Sequence, residues 1–278
     1  MKSFEQMRYA AQEKASHKMP VLAVAQATDH HVEEAVAEAE RLGICKALRI
    51  VDPDPNEAAR RAVAAVRSGE ANFLMKGLLQ TAEIMKAVLH KEEGLRTGRA
   101  LSHVVACEIP GWEKVVYITD VALNVAPDLA RKADIVRNAV LTVRALGVDQ
   151  PKVAALSSVE KVNPDMPSSV EARSLQEMAE RGELGNCQVA GPLALDLAVS
   201  KEAGETKGVS GPVVGDADIL FVPHIDAGNM LYKGLVYFAR CRSAGIIVGA
   251  RCPVVLLSRS DSADSKLMSI AMAVLCAE

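Results

Sequence analysis

Short apolar runs alternate with amphipathic stretches from residue 21 to the C-terminus. VLAVAQA (21–27), ALRIVD (47–52) and NFLMKG (72–77) are short, aliphatic and β-type, which predicts buried strands. Between them, HVEEAVAEAERLG (31–43) spaces Val32, Ala35, Val36, Ala39 and Leu42 along one helical face and stops at Gly43. PNEAARRAVAAVRSG (55–69) opens on Pro55 and closes on Gly69, the asymmetry expected of a helix. A further helix is predicted over TAEIMKAVLHKEEG (81–94), after the Gly77 turn.

The rhythm continues with strands predicted over 114–120, 152–158, 217–223, 245–250 and 254–258. Helices are predicted over 126–147, 168–182, 228–241 and from about Ala263 onward. Aliphatic strands alternating with helices predict an α/β fold, with parallel-type sheets flanked by helices on both faces. No repeat or low-complexity tract interrupts the chain. Residues 200–216, SKEAGETKGVSGPVVGD, are the one long Gly-rich polar stretch and read as a surface loop.

Composition narrows the picture. Half of the 278 residues are apolar but only 3% are aromatic, so the core is expected to be aliphatic. A net charge of -3 offers no electrostatic footprint for nucleic acid or anionic lipid. Any anionic ligand must be held by a local cluster. The N-terminal residues are too charged for a secretory segment, and the apolar run 267–277 is too short to span a bilayer. The six cysteines are scattered without a CxxC pair and read as reduced core thiols of a cytoplasmic protein.

Parallel α/β sheets bind ligands beyond the carboxyl ends of their strands. The polar residues expected there are Lys76, Thr119, Asp120, Ser157, Ser158, His224, Asp226, Ser258 and Arg259. Cations, hydroxyls and carboxylates in that position suit a phosphate-bearing small molecule. The stretch VVLLSRSDSADSK carries the sharpest signal. An apolar strand ends on Ser258-Arg259, and a helix starts a few residues later. The Arg fork matches phosphate bidentately, and a helix N-terminus offers free N–H groups. The plainer reading is a capped helix with Arg259 paired to Asp261 on the surface. His30 and His31 lie just ahead of a helix and are expected to diverge into solvent, giving no metal site. Gly-rich nucleotide loops, HExxH and GxSxG are absent.

Several stretches together resemble the phosphate acetyl/butyryltransferase family: MKGLLQTAEIMKAVL, GLRTGRALSHV, TDVALNVAPDL, VNPDMPSS, GPLALDLAVS, ADILFVPHIDAGNMLYKGL and CPVVLLSRSDSADSKLMSIAMAVL. They run in the family's order from about residue 72 to the C-terminus, and their wording is closer to the butyryl branch. The first 70 residues fit more loosely, and the region 51–57 looks shorter than in many relatives.

The resemblance implies two α/β domains of the isocitrate/isopropylmalate dehydrogenase type, with the active site in the interdomain cleft. Residues 1–105 and 244–278 would form one domain and 106–243 the other. The implied reaction is acyl-CoA + phosphate ⇌ acyl phosphate + CoA, with butyryl-CoA the first expectation and acetyl-CoA the alternative. CoA and phosphate are substrates and no resident cofactor is implied; a homodimer or higher homo-oligomer is. A CoA thiol is only a few per cent ionised at neutral pH, so a base is needed to make the attacking thiolate. A donor must then meet the charge that grows on the carbonyl oxygen, and a cation must hold the phosphate. The family pattern assigns those last roles to Ser258 and Arg259. Where the acetyl branch has its base Asp, this chain has Ser265, which leaves Asp264 as the expected base and Asp261 as the alternative. Lys76, Lys86, Thr119, Asp120, Ser157, Asn229, Tyr232 and Lys233 are the expected substrate contacts. The shifted carboxylate also keeps open a relative that binds CoA or acyl phosphates without turning them over.

Overall fold

The computed structural model describes residues 1–256 and 261–278, and the chain divides into two compact α/β units. Residues 1–99 and 242–278 form the first and residues 100–241 the second.

In the first unit the elements are α1 (Phe4–His17), β1 (Val21–Ala25), α2 (His30–Arg41), β2 (Lys46–Ile50), α3 (Pro55–Ser68), β3 (Phe73–Lys76) and α4 (Thr81–Val88). The second unit holds β4 (Ser102–Glu108), β5 (Val116–Thr119), α5 (Leu129–Ala145), β6 (Lys152–Leu156), α6 (Pro167–Glu180), β7 (Gln188–Leu193), α7 (Leu195–Val199), α8 (Lys201–Lys207), β8 (Ile219–Phe221) and α9 (Ile225–Tyr237). The chain then returns to the first unit for β9 (Arg242–Val248), β10 (Val254–Val255) and α10 (Ala263–Cys276).

Strand order in the first unit is β2-β1-β3-β10-β9, parallel except for β9. In the second it is β4-β5-β8-β6-β7, parallel except for β4. The strands of each unit are therefore mixed rather than parallel throughout. The reason is connection length: only residues 109–115 join β4 to β5 and only 249–253 join β9 to β10. Such links close an antiparallel pair, whereas a parallel crossover needs a dozen residues or more.

The helices start and stop where their chemistry says. The Asp29 side chain accepts from the Val32 N–H at α2, and Asp54 caps α3 ahead of Pro55. Gly69 ends α3 at φ 81°, a left-handed conformation that costs glycine little. The face of α2 that packs inward is Val32, Ala35, Val36 and Ala39, as the spacing requires. In α10, Met268 through Val274 are all buried, against α1, α2 and β9. Each fully buried aliphatic chain there contributes about 1.5–3 kcal/mol. The core is mainly aliphatic, with Phe4, Phe73, Tyr117 and Phe221 as its buried aromatics. The six thiols are free, and burial pushes Cys45 and Cys252 up to about 12.

Five elements escape the periodicity reading, the short α7 among them. The α1 helix precedes the first apolar run. The β4 strand lies inside a stretch that reads as a connection, and α8 occupies part of the polar segment 200–216. The β7 strand hides behind Gly191-Pro192. A Cβ on Gly191 would stand 2.7 Å from the Ala172 carbonyl of α6, so the glycine permits the close approach of that helix. Pro192 is tolerated because β7 lies at the sheet edge.

Candidate functional site

The carboxyl ends of β1, β2 and β3 are level, with Ala25 opposite both Ile50 and Lys76. Just beyond them the chain crosses itself closely. Gly77 donates its N–H to the Ala25 carbonyl at 2.8 Å, and Leu78 donates to the Gln26 carbonyl at 2.8 Å. A Cβ on Gly77 would lie 2.2 Å from that Gln26 oxygen, so only glycine fits the turn. Lys76 folds its ammonium back over the turn, donating to the carbonyls of Leu79 (3.0 Å) and Gly77 (3.3 Å). The cation thus stands before the start of α4. Lys86 lies further along that helix, exposed at its surface and without an ion-pair partner among the described residues.

The expected reacting pair, Ser258 and Arg259, lies outside the described residues. Beyond that pair, Ser262 caps α10 by accepting from the Ser265 N–H at 3.1 Å. Asp264, the expected base, is exposed in the first turn, and both its oxygens accept from the Arg242 fork at 3.0 Å. Arg242 also donates to Glu5 at 2.9 Å, and its guanidinium lies 5.3 Å from the Phe4 ring centroid. That hydrogen bond, first among the causes, holds the Glu5 carboxyl below its usual range. The alternative base, Asp261, offers its backbone carbonyl to the Nζ of Lys266.

Lys266 is not among the contacts expected from sequence, yet only 2% of it is exposed. A buried ammonium is costly unless it is hydrogen-bonded, which makes this lysine a structural or functional commitment. A signal for it exists in the chain: Lys266 stands four residues before Ile270, on the face that α10 buries.

The second unit gathers most of the remaining candidates on the carboxyl edge of its parallel strands, where Thr119 of β5 and Ala155 of β6 both stand opposite Phe221 of β8. Thr119 donates its hydroxyl to the His103 carbonyl at 3.0 Å. Asp120 is 3% exposed and organises the turn after β5. One carboxylate oxygen accepts from the N–H groups of Ala122 (2.9 Å) and Leu123 (3.1 Å). The other accepts from the backbone and side-chain N–H of Asn124. Asn124 in turn reaches the Leu101 carbonyl at 2.8 Å.

The start of α9 rests directly on this turn. Asn229 donates to the Val121 carbonyl at 3.3 Å, and a Cβ on Gly228 would stand 2.4 Å from the Asp120 carbonyl. His224 serves as the helix cap, its Nδ1 accepting from the Ala227 N–H at 3.4 Å. One turn on, the Lys233 ammonium lies 5.1 Å from the Tyr232 ring centroid. Ser157, beyond β6, shares a hydrogen bond of 3.1 Å with Ser168 at the start of α6. The structure therefore brings Thr119, Asp120 and Asn229 together around one turn, with Tyr232 and Lys233 next along the same helix. Ser157 belongs instead to the α6 start. Lys76, Lys86 and Asp264 belong to the first unit. In the second unit the arrangement offers amide, hydroxyl and ammonium donors beyond strand ends, groups that can meet an anionic small molecule.

Comparison with known proteins shows what the chain is similar to. A profile described as Phosphate acetyl/butaryl transferase matches residues 54–274. The phosphate butyryltransferase of Clostridium acetobutylicum is 44% identical over 94% of this chain and 95% of its own. The phosphate acetyltransferase of Thermotoga maritima is 41% identical over 95% of this chain and 98% of its own. Among solved structures, a branched-chain phosphotransacylase from Enterococcus faecalis superposes with a TM-score of 0.83 at 38% identity, covering 93% of this chain and 99% of that one.

Proposed function

The chain belongs to the phosphate acetyl/butyryltransferase family, and from that premise we propose that it interconverts a short-chain acyl-CoA and phosphate with acyl phosphate and CoA. The observation that carries the reading is near-full-length identity to enzymes named for this transfer. Butyryl-CoA is the first choice of substrate and acetyl-CoA the alternative, since one methylene is worth only about 1–3 kcal/mol of discrimination in an apolar pocket.

Starting from acyl phosphate and CoA, a base takes the CoA thiol proton, and the thiolate attacks the carbonyl carbon. The tetrahedral oxygen collects negative charge as the C–S bond forms, and the C–O bond to phosphate then breaks. In this proposal Ser258 donates to the carbonyl oxygen and Arg259 holds the phosphate as it leaves. Asp264 is the base, and to act it must exchange an Arg242 hydrogen bond for the thiol. Asp261 is the second choice. Lys76, Lys86, Thr119, Asp120, Ser157, Asn229, Tyr232 and Lys233 are proposed around the substrates, with Asp120 acting by shaping the turn on which α9 rests. No resident cofactor enters this scheme. The dehydrogenase-type two-domain organisation and a cytoplasmic location belong to the same proposal; no helix among the described residues is long and apolar enough to cross a membrane.

A homodimer is proposed through α9. Met230, Gly234 and Tyr237, followed by Phe238, line one side of that helix, and Phe238 is 90% exposed. Among the described residues no atom would oppose a Cβ at Gly234, which leaves room for a second copy's side chain.

The test is CoA release from acetyl-, propionyl-, butyryl-, isobutyryl- and octanoyl-CoA, with and without phosphate. Phosphate-dependent release peaking at four carbons is expected. A peak at acetyl moves the protein to the other branch, and no phosphate-dependent release with any thioester leaves a binding protein. Arg259→Ala is expected to lower turnover about 100-fold, near 2.7 kcal/mol, with the melting temperature unchanged. Wild-type turnover in that variant would remove Arg259 from the mechanism.

A further inference from the structure

His30 and His31 open α2 side by side, and adjacent helical positions are expected to point apart. They do not act apart here. The two rings stand nearly perpendicular, at 81° with centroids 5.9 Å apart, and bracket the carboxylate of Glu34. His30 Nδ1 is 3.4 Å from one Glu34 oxygen, and His31 Nδ1 is 3.5 Å from the other. One candidate ligand atom from each of the three residues falls within a common spacing of 4.8 Å. Because His30 is the first residue of the helix, its ring is not tied into a preceding turn and can swing beside its neighbour.

These spacings match an ion that is not part of the reaction proposed above. Ligands about 2.0–2.1 Å from a tetrahedral metal ion stand about 3.3 Å from one another. Each nitrogen is that close to one Glu34 oxygen, though to a different one, and the other spacings lie within 4.8 Å, so the side chains draw in slightly when an ion binds. Two imidazoles with one carboxylate suit Zn²⁺, Ni²⁺ or Cu²⁺, and are a poor set for Mg²⁺ or Ca²⁺, which prefer all-oxygen shells. All three side chains are exposed, so an ion needs no entry path and keeps positions open to water. Arg49 of β2 is spent on Glu33 and Glu40 of the same helix rather than on Glu34. The helix N-terminus itself disfavours a cation, and the Asp29 carboxylate capping it opposes that field.

We propose that His30, His31 and Glu34 form a surface chelate for a divalent late-transition ion. It sits at the start of α2, one short link beyond the carboxyl end of β1. Binding would tie the first turn of α2 to itself, and none of the three ligands is among the residues assigned to acyl transfer.

The experiment uses full-length, tag-free protein stripped with a chelator and then titrated with Cu²⁺ by calorimetry and electron paramagnetic resonance. One ion per chain, with splitting from two nitrogens, is expected. His30→Asn/His31→Asn should weaken binding at least about tenfold and abolish the two-nitrogen signal, and Glu34→Gln should weaken it less. Melting curves without metal should coincide for wild type and variants, which separates a lost ligand from a lost fold. An absence of saturable binding, or the same affinity and spectrum in the double His variant, would overturn the site.

Discussion

The second unit's sheet has two edges built to different ends. At the amino edge, ahead of β5, β6 and β8, two lysines and two aspartates satisfy one another. Lys114 donates to Asp216 and Asp218 at 2.7 Å each, and Lys152 donates to Asp216 at 2.5 Å. Asp218 also accepts the Lys152 backbone N–H at 2.9 Å. At the carboxyl edge the ion pairs lie to one side, where Lys207 joins Glu160 beyond β6 and Asp196 beyond β7, and the turn after β5 holds none among the described residues. Asp120 spends its carboxylate on the backbone of its own turn, and Lys233 lies over a ring rather than against an acid. One edge closes its charges internally and ties three strand starts together. The other shapes backbone and leaves a cation to be met by something else. That division is expected of parallel strands, whose carboxyl ends face ligand.

The comparison can be broken in order of size. Asp120→Ala should cost the most stability, about 3 kcal/mol in urea unfolding, because the Ala122, Leu123 and Asn124 N–H groups lose their shared acceptor. Turnover should fall as well, since α9 rests on that turn; unchanged stability would mean the turn holds without the carboxylate. Lys114→Met should come next, at about 1–2 kcal/mol, by leaving two aspartates short of a partner while turnover stays at the wild-type level. A matching loss of turnover would show that the two edges are coupled.

Acid should sharpen the same contrast. Burial pushes the Asp216 carboxyl up, but hydrogen bonds and charge from Lys114 and Lys152 outweigh it and hold it below the usual range. As pH falls through the ordinary carboxylate range, the unfolded chain takes up a proton that the folded protein refuses. The stabilisation is therefore complete above that range and is lost on acidification. Asp216→Asn should remove this part of the acid dependence at a cost of about 1 kcal/mol at neutral pH, the group being partly exposed and screened. An unchanged acid limb would assign it to other carboxylates. The smallest effect is expected from Lys233→Met: a rise of severalfold in KM for acyl-CoA or phosphate with no change in melting temperature, and identical KM values would remove Lys233 from the site.

Much of the local architecture can be read along the chain because local rules govern it. Asp54-Pro55 and Gly69 bracket α3 through capping and backbone freedom, and the apolar spacing of α2 is retained as its buried face. The strand ends are legible for the same reason, so the polar residues beyond β3, β5 and β6 can be named from sequence. Their partners cannot. Asp120 reads as a site carboxylate, yet its four hydrogen bonds go to the turn beside it. His224 reads evenly as ligand or structure and caps α9. Asp264 reads as a base, and its pairing with Arg242 joins residues 22 positions apart.

By itself the sequence determined the α/β alternation, the aliphatic core, the helix boundaries set by caps and glycines, and membership of a family of acyl-transferring enzymes. Each depends on residue type and short spacing, which a chain carries with it before it folds. Only the tertiary structure decided strand direction at β4 and β9, the burial of Lys266, the closed ion cluster at the amino edge and the approach of two histidines to one carboxylate. Those depend on distances between groups, and distance is not a property of sequence until packing brings the groups together.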